Sequence, residues 1–227
     1  MRRVGPLRRG AVAFTLVVGI TAQVEAITIV DTGQPAAAIL GGRGVSGTGS
    51  GSGVNQWQAG EFNVGTSTKI TGALGYMHNY MATPRTATVA LYNDGSEVPG
   101  SELFSAFFTV PWNPSGTVYD WYGLSSLNWE VGPGTYWLAF EVRSGQTFWG
   151  VMPSPSPTPL NNEANFFNGT WNQYDATNIG VRVYGEPVST VPEPATLLLL
   201  GSGLAGIGGA AWRRKKKEAA SPDHDDV

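Results

Sequence analysis

Side chains that could perform acid, base or nucleophilic chemistry are few in this chain of 227 residues. It contains no cysteine and two histidines, of which only His78 precedes the C-terminal tail. A Ser-His-acid triad would therefore have to use His78, and no serine before that tail lies in a Gly-x-Ser-x-Gly elbow. We expect His78 to be a surface residue at the end of a strand, and we predict that the chain is not an enzyme.

Carboxylates are more numerous, with eleven between Ile27 and Thr190. The paired acids of a glycosidase are defined by their separation, which a sequence does not supply. Asp94 and Glu97 form the best local cluster for calcium, but they lack the alternating acidic pattern of a calcium loop. We expect an Asn-Asp-Gly turn with solvated carboxylates at this point, and we predict neither a metal ion nor a cofactor.

Aromatic side chains give the one indication of ligand binding. Trp137, Tyr184 and Tyr92 fall on the polar sides of their predicted strands. Flat rings beside polar side chains can stack on sugars, so these three residues are the candidate glycan platform. The alternative, which we favour for any single ring, is that the aromatic residues fill a wide core or lie under loops.

Charge is distributed unevenly along the chain. Between Ile27 and Thr190, five basic and eleven acidic residues give a formal net charge of −6. An acidic segment without basic patches cannot release counterions from phosphates, so nucleic acid is not an expected partner. The remaining basic residues are concentrated near the two ends, beside apolar runs, which is typical of proteins that enter or cross membranes.

The first 26 residues have the organisation of a signal peptide. Four arginines precede an uncharged apolar run from Ala11 to Ala22, and Val24 and Ala26 occupy the −3 and −1 positions that signal peptidase reads. We predict export across the inner membrane and cleavage after Ala26. Cleavage after Ala22 and an uncut signal anchor are the alternatives.

The C-terminal end has three consecutive parts. Pro192, Glu193 and Pro194 lie in the motif at 191–194, and an uncharged segment follows at 195–212. At about 1.5 Å per residue that segment spans about 27 Å, which predicts a transmembrane helix. The basic cluster at 213–217 would stay cytoplasmic, and an acidic tail at 218–227 ends the chain. The cluster consists of Arg213, Arg214, Lys215, Lys216 and Lys217.

This order of motif, apolar segment and basic cluster closely resembles the PEP-CTERM sorting signal of exported proteins in Gram-negative bacteria that make extracellular polysaccharide. The resemblance implies that a membrane-embedded exosortase recognises Pro192, Glu193 and Pro194, and that the basic cluster is a topological stop. It also implies an inner-membrane-anchored intermediate, followed by the cell surface or extracellular matrix. The acidic tail departs from the pattern. A plain single-pass anchor that keeps its helix is the alternative.

Residues 27–187 are predicted to form one all-β ectodomain. Apolar residues alternate with more polar ones in three segments, which indicates antiparallel strands with one buried face. Together with less regular candidate strands, these segments make eight or more short strands. That number favours a β-sandwich of jelly-roll type, with a closed barrel as the alternative. The glycine-rich stretch 41–53 and the proline-rich stretch 153–159 are expected to be exposed loops. The alternating apolar sets are Ala87, Val89, Leu91; Tyr136, Leu138, Phe140, Val142; and Ile179, Val181, Val183.

Residues 62–184 also resemble the ectodomains often attached to this signal, through phrases such as those at 89–94 and 134–138. That resemblance implies a β-sandwich and adds little about activity. The sequence as a whole predicts a non-catalytic surface or matrix protein associated with extracellular polysaccharide. A secreted lectin-like module is the second hypothesis, and a membrane-anchored sandwich is the third.

Overall fold

The computed structural model describes residues 26–35, 42–113, 118–158, 160–174 and 179–188, together with 199, 201–203 and 212–213. The chain divides into two units, Val24–Val188 and the terminal segments Met1–Gln23 with Ser189–Val227. Within the first unit, every regular element that the structure describes is a strand, except one short 3-10 turn at Thr48–Ser50.

The strands of this unit are mostly short, and two of them have 12 residues. In chain order they are β1 (Ile27–Asp31), β2 (Gly42–Ser46), β3 (Gln56–Val64), β4 (Thr68–Asn79), β5 (Arg85–Asp94), β6 (Pro99–Val110), β7 (Asp120–Leu124), β8 (Trp129–Val131), β9 (Gly134–Glu141), β10 (Trp149–Pro153), β11 (Glu163–Phe167), β12 (Thr170–Tyr174) and β13 (Val181–Pro187).

All the strand pairings are antiparallel and join the strands into one curled sheet. Its order is β1-β13-β4-β10-β2-β3-β9-β5-β6, with β7 and β8 added to β4 and the β11–β12 hairpin added to β3. The all-β antiparallel prediction is confirmed. Because hydrogen bonding runs without a break from β1 to β6, the division into the two sheets of a jelly-roll sandwich stays a prediction.

The larger of two apolar clusters, which we call the inner core, contains side chains from strands along the sheet. Ile70 and Met77 of β4 belong to it, and so do Val89 of β5 and Phe140 of β9. The alternation predicted for β5, β9 and β13 is confirmed, because its apolar members lie in or against this cluster. Burial of these side chains on one face is the main force that curls the sheet.

A close backbone approach joins β10 to β4. Gly150 and Val151 lie opposite Asn79 and His78, and a Cβ atom at Gly150 would overlap the His78 carbonyl oxygen and the Phe148 ring. Only glycine fits there without displacing backbone. Gly150 therefore permits the contact through which β10 connects β4 to β2 and the strands beyond it.

A second apolar cluster, the outer core, lies on the opposite face of β3, β5 and β9. It contains Ala59, Ala90, Trp137 and Ala139 among others, and Trp171 of β12 packs against it. The β11–β12 hairpin pairs with β3 along Gln56–Gly60. Strand β9 is therefore buried on both faces along most of its length.

The glycine-rich stretch is not wholly the exposed loop predicted from composition. Residues 42–46 form β2, which pairs with all five residues of β10, and Val45 is fully buried. Glycine at 42 and 44 suits this position, because a Cβ atom at Gly42 would overlap Val151. The sequence analysis also did not identify β7, β11 and β12, whose residues lack a clean alternation.

Most of the terminal predictions lie outside the described residues. These are the signal peptide before Ala26, the motif at 192–194, most of the segment 195–212 and the basic residues 214–217. Ala26 directly precedes β1, and Arg213 is helical and exposed. Among the described residues, none belongs to a helix with the length and apolarity needed to cross a membrane.

The inner core gives the first prediction. Leu138 is fully buried, whereas Leu103 on β6 is 42% exposed. Leu138→Ala leaves a cavity and should lower the free energy of unfolding by about 3 kcal/mol. The matched Leu103→Ala should lower it by about 0.5 kcal/mol or less. Urea unfolding followed by tryptophan fluorescence measures both, and equal losses would contradict this assignment of the core.

Candidate functional site

The predicted aromatic platform is wrong for two of its three rings. Trp137 is 0% exposed and Tyr92 is 8% exposed. Both lie in the outer core, where the Trp171 ring meets Tyr92 edge-on with centroids 6.1 Å apart. Trp171 of the β11–β12 hairpin packs against this cluster. Neither Trp137 nor Tyr92 has the exposed ring face on which a sugar could stack.

Tyr184 lies apart from the other two rings. It is half-buried on β13 and lies opposite Thr28 of β1 and Gly72 of β4. Four strands separate β13 from β9 in the sheet order. The three predicted residues therefore do not form one surface.

Two other candidate residues have structural partners. His78 is 4% exposed, its Nδ1 lies 3.0 Å from the Val118 carbonyl oxygen, and its ring contacts Tyr80 and Tyr119. The prediction that His78 lies at the surface is therefore wrong. Asp94 accepts a hydrogen bond of 3.1 Å from Trp137 Nε1. Within the described ranges, no three histidine or acidic side chains are grouped to hold a metal ion.

The structure instead presents a cavity of about 520 Å³ beside the end of β9, which we call the Trp57 cavity. Its buried lining includes Tyr92 and Glu141, and Trp57 and Arg143 are half-buried. Exposed polar residues also line it. These are Thr48, Glu102 and Ser144.

A buried ion pair forms one wall of the Trp57 cavity. Arg143 Nε donates to Glu141 Oε2 at 2.7 Å, and Tyr92 Oη donates to Glu141 Oε1 at 2.6 Å. The other two guanidinium nitrogens bind Glu102. Nη2 donates to Oε2 at 2.7 Å, and Nη1 donates to Oε1 at 3.3 Å. One arginine thus joins a carboxylate with no exposed surface to one at the rim.

Burial and charge move the pKa values of this cluster in different directions. Burial raises the pKa of Glu141, and the hydrogen bonds from Tyr92 and Arg143 oppose that shift only in part. Burial alone would also raise the pKa of Glu102, but hydrogen bonds from Ser105 and Arg143 lower it overall. Burial would lower the pKa of Arg143, yet its two carboxylate partners raise it, so the guanidinium stays charged.

A hydrogen-bonded turn fixes Arg143 after the end of β9. Gln146 Oε1 accepts a hydrogen bond from the Arg143 backbone nitrogen at 2.8 Å. The Gln146 backbone nitrogen donates to the Arg143 carbonyl oxygen at 2.9 Å. Gln146 Nε2 also donates to Thr88 Oγ1 on β5 at 2.8 Å. The turn is therefore attached to the sheet, and Arg143 is held in place before any ligand arrives.

Trp57 is held on the other side of the cavity. Its ring stacks on Phe166 with centroids 4.0 Å apart and an interplanar angle of 9°. Its Nε1 donates to the Val142 carbonyl oxygen at 3.2 Å. The register Phe166 opposite Trp57 in the β11–β3 pairing brings the two rings together, so the indole is rigid.

The Glu141 carboxylate is fully engaged by its protein partners. Both oxygens of Glu141 already accept hydrogen bonds from the protein, and its side chain has no exposed surface. A general acid must be within hydrogen-bond reach of the group that it protonates. Glu141 therefore acts as a structural anchor for Tyr92 and Arg143.

Sequence reasoning placed Glu141 and Arg143 on the polar face of their strand but did not identify them as a site. The sequence feature that could have indicated the site is an acidic and a basic residue two positions apart, because such residues share one face of a strand. Their burial, and the arrival of Trp57 and Glu102 from β3 and β6, depend on strand pairing that local sequence does not encode.

The buried ion pair gives a stability prediction. Arg143→Met leaves Glu141 buried without its cationic partner and should lower the free energy of unfolding by about 3 kcal/mol. The double variant Arg143→Met with Glu141→Gln should lose less unfolding free energy than Arg143→Met alone. Its neutral amide oxygen can still accept the hydrogen bond from Tyr92 Oη. Lys69 pairs with Glu186 at 2.7 Å near the surface, so Lys69→Met should cost at most about 1 kcal/mol.

Chemical denaturation of the wild type, the three variants above and Glu141→Gln alone measures these changes in the free energy of unfolding. If the double variant loses as much unfolding free energy as Arg143→Met and Glu141→Gln lose together, the coupling between Arg143 and Glu141 is contradicted. Equal losses from Arg143→Met and Lys69→Met would contradict the burial argument.

The lowered pKa of Glu102 gives a pH prediction. A carboxyl whose folded pKa lies below its ordinary value of 4.5 stabilises the protein above that value. The advantage of the wild type over Glu102→Gln should therefore shrink as the pH falls from 7 through 4.5 and lower. Unfolding free energies across this pH range measure it. Glu130→Gln is the control, because Glu130 is exposed and forms no ion pair with the part of the chain that the structure describes. If the difference in unfolding free energy between the wild type and Glu102→Gln stays constant with pH, the lowered pKa of Glu102 is contradicted.

Comparison with known proteins identifies the C-terminal end. Residues 190–215 match the family model described as the PEP-CTERM protein-sorting motif. No curated protein and no solved structure matches the chain. The matched range contains Pro192, Glu193 and Pro194, the apolar segment and the first three residues of the basic cluster. The chain therefore carries a PEP-CTERM protein-sorting motif at residues 190–215.

Proposed function

We propose that this chain is an exported, non-catalytic surface or matrix protein whose C-terminal signal is processed by an exosortase-like membrane enzyme. The observation that carries the proposal is the sorting motif at residues 190–215. Signal peptidase first cuts after Ala26. The segment 195–212 then holds the chain in the inner membrane, with the basic cluster on the cytoplasmic side. The exosortase-like enzyme recognises Pro192, Glu193 and Pro194.

The physical chemistry of the motif supports cleavage close to it. Two prolines at alternate positions favour an extended backbone and oppose a continuous helix. A protease binds its substrate in an extended form, so the segment before the apolar run is ready for binding. The mature ectodomain, 27–187, then reaches the cell surface or the extracellular matrix.

The role of the ectodomain in our proposal is association with extracellular polysaccharide. The acidic, sparsely charged composition of residues 27–190 favours neutral partners over nucleic acid. The second candidate function is that of a lectin-like module with a definite ligand. Since Trp137 and Tyr92 are buried, the Trp57 cavity rather than the predicted platform is the feature that favours it.

The sorting proposal predicts the mass of the mature protein. In native cells, the wild type should lack residues 1–26 and everything beyond the 192–194 region. Pro192→Ala with Pro194→Ala should keep the C-terminal segment, because the recognition motif is gone. Intact-protein mass spectrometry of cell fractions measures both. Pro84→Ala with Pro133→Ala, two exposed prolines of the ectodomain, is the matched control and should be processed normally.

Two outcomes would contradict the sorting proposal. A wild-type protein that retains residues 195–217 would indicate a plain single-pass anchor, which is the third hypothesis. Normal processing of the double-proline variant would show that the motif does not direct the cut.

A further inference from the structure

We propose that the Trp57 cavity binds a neutral sugar unit of a polysaccharide or oligosaccharide. This inference deepens the proposed association with polysaccharide and rests on that part of the proposed function. The cavity brings together a rigid indole, an arginine held by two carboxylates, and the hydroxyl and amide groups of Thr48, Asn55 and Ser144. Each of these features answers one requirement of sugar binding.

The first requirement is space. A cavity of about 520 Å³ lies within the range of about 300 to 1,000 Å³ that is usual for small-molecule sites. It therefore has room for a sugar unit together with part of its neighbour in a chain.

The second requirement is a flat apolar surface that does not move. Stacking on Phe166 uses one face of the Trp57 indole, and the hydrogen bond to Val142 fixes the ring in its plane. Trp57 is one of the residues that line the cavity, and its ring also meets the Trp171 ring at an angle of 61°, with centroids 6.2 Å apart. A sugar presents a face of C–H groups that suits such a ring, and a fixed ring loses little entropy on binding.

The third requirement is a set of hydrogen-bonding groups at the cavity that are not already used. Asn55 Oδ1 accepts from the Thr48 backbone nitrogen at 2.8 Å, which directs the Asn55 side chain. Among the residues that the structure describes, its Nδ2 has no hydrogen-bond partner. The Thr48 and Ser144 hydroxyls make no hydrogen bond with the described residues. Hydroxyl and amide groups can pair with sugar hydroxyls as donors or acceptors.

The fourth requirement concerns charge. The guanidinium of Arg143 is held by Glu141 and Glu102, so it does not offer an unpaired cation to a phosphate or a uronate. The carboxylates of Glu141 and Glu102 are bound by that same guanidinium, so neither offers an unpaired anion to an ammonium group. The surrounding acidic domain further disfavours anions. One guanidinium and two carboxylates give the cluster a formal charge of −1. These charges disfavour an anionic ligand, and because both carboxylates are already paired with Arg143, we place a neutral sugar rather than a cationic one in the cavity.

Binding can be tested with the full chain, purified in detergent, by isothermal titration calorimetry. The probes are glucose, galactose, mannose, maltose and cellobiose, with glucuronic acid and glucosamine as charged counterparts. At least one neutral sugar should bind more tightly than either charged sugar. Trp57→Ala should weaken that binding about tenfold, because it removes the stacking surface.

One further variant and two controls keep the test informative if Trp57→Ala disturbs the contact with Phe166. Ser144→Leu places an apolar side chain at an exposed cavity position where Ser144 makes no contact needed by the fold, and it should also weaken binding about tenfold. Trp149→Ala and Ser125→Leu are matched controls at exposed positions outside the cavity lining, and they should bind as the wild type does.

Three outcomes would overturn the proposal. They are no binding of any neutral sugar, equal or tighter binding of a charged sugar, and equal loss of binding in the control variants. The sorting motif is not involved, because binding is measured on the unprocessed chain. Failure at the cavity is therefore distinct from failure of C-terminal processing, which is measured by mass.

Discussion

The burial of strand β9 on both faces is the constraint on which the rest of the ectodomain depends. Leu138 and Phe140 point into the inner core, and Trp137 and Ala139 point into the outer core. A strand covered on both sides cannot use water to satisfy polar side chains. The strand therefore needs apolar neighbours on its second face, to which the β11–β12 hairpin contributes Ala164 and Trp171, and a partner for each polar group that it buries.

The single carboxylate of β9 shows how that need is met. Glu141 has no exposed surface, and an isolated charge there would cost several kcal/mol. Arg143 and Tyr92 each supply a hydrogen bond, and Glu102 balances the second side of the guanidinium. The same contacts fix the walls of the Trp57 cavity. One hydrogen-bonded network thus satisfies the buried acid and also fixes the cavity walls.

The two functional regions of the chain are encoded in different ways. The sorting motif at 190–215 is a linear signal, in which order and spacing along the sequence are what a membrane enzyme reads. The Trp57 cavity has no linear signature, because its residues come from β3, β5, β6, β9 and two turns. A family model consequently matches the first, while the second becomes visible only after folding.

The sequence by itself determined the sorting signal, the antiparallel strand class and the inward faces of β5, β9 and β13, because each depends on local order or on a period of two. It did not determine what covers the opposite faces. His78 was expected at the surface and is buried, Trp137 was a candidate for a surface platform and is buried, and β2 forms within a glycine-rich stretch that suggested a loop. These outcomes were decided by tertiary structure, because alternation shows which side chains share a face but does not show whether water or another strand lies against it.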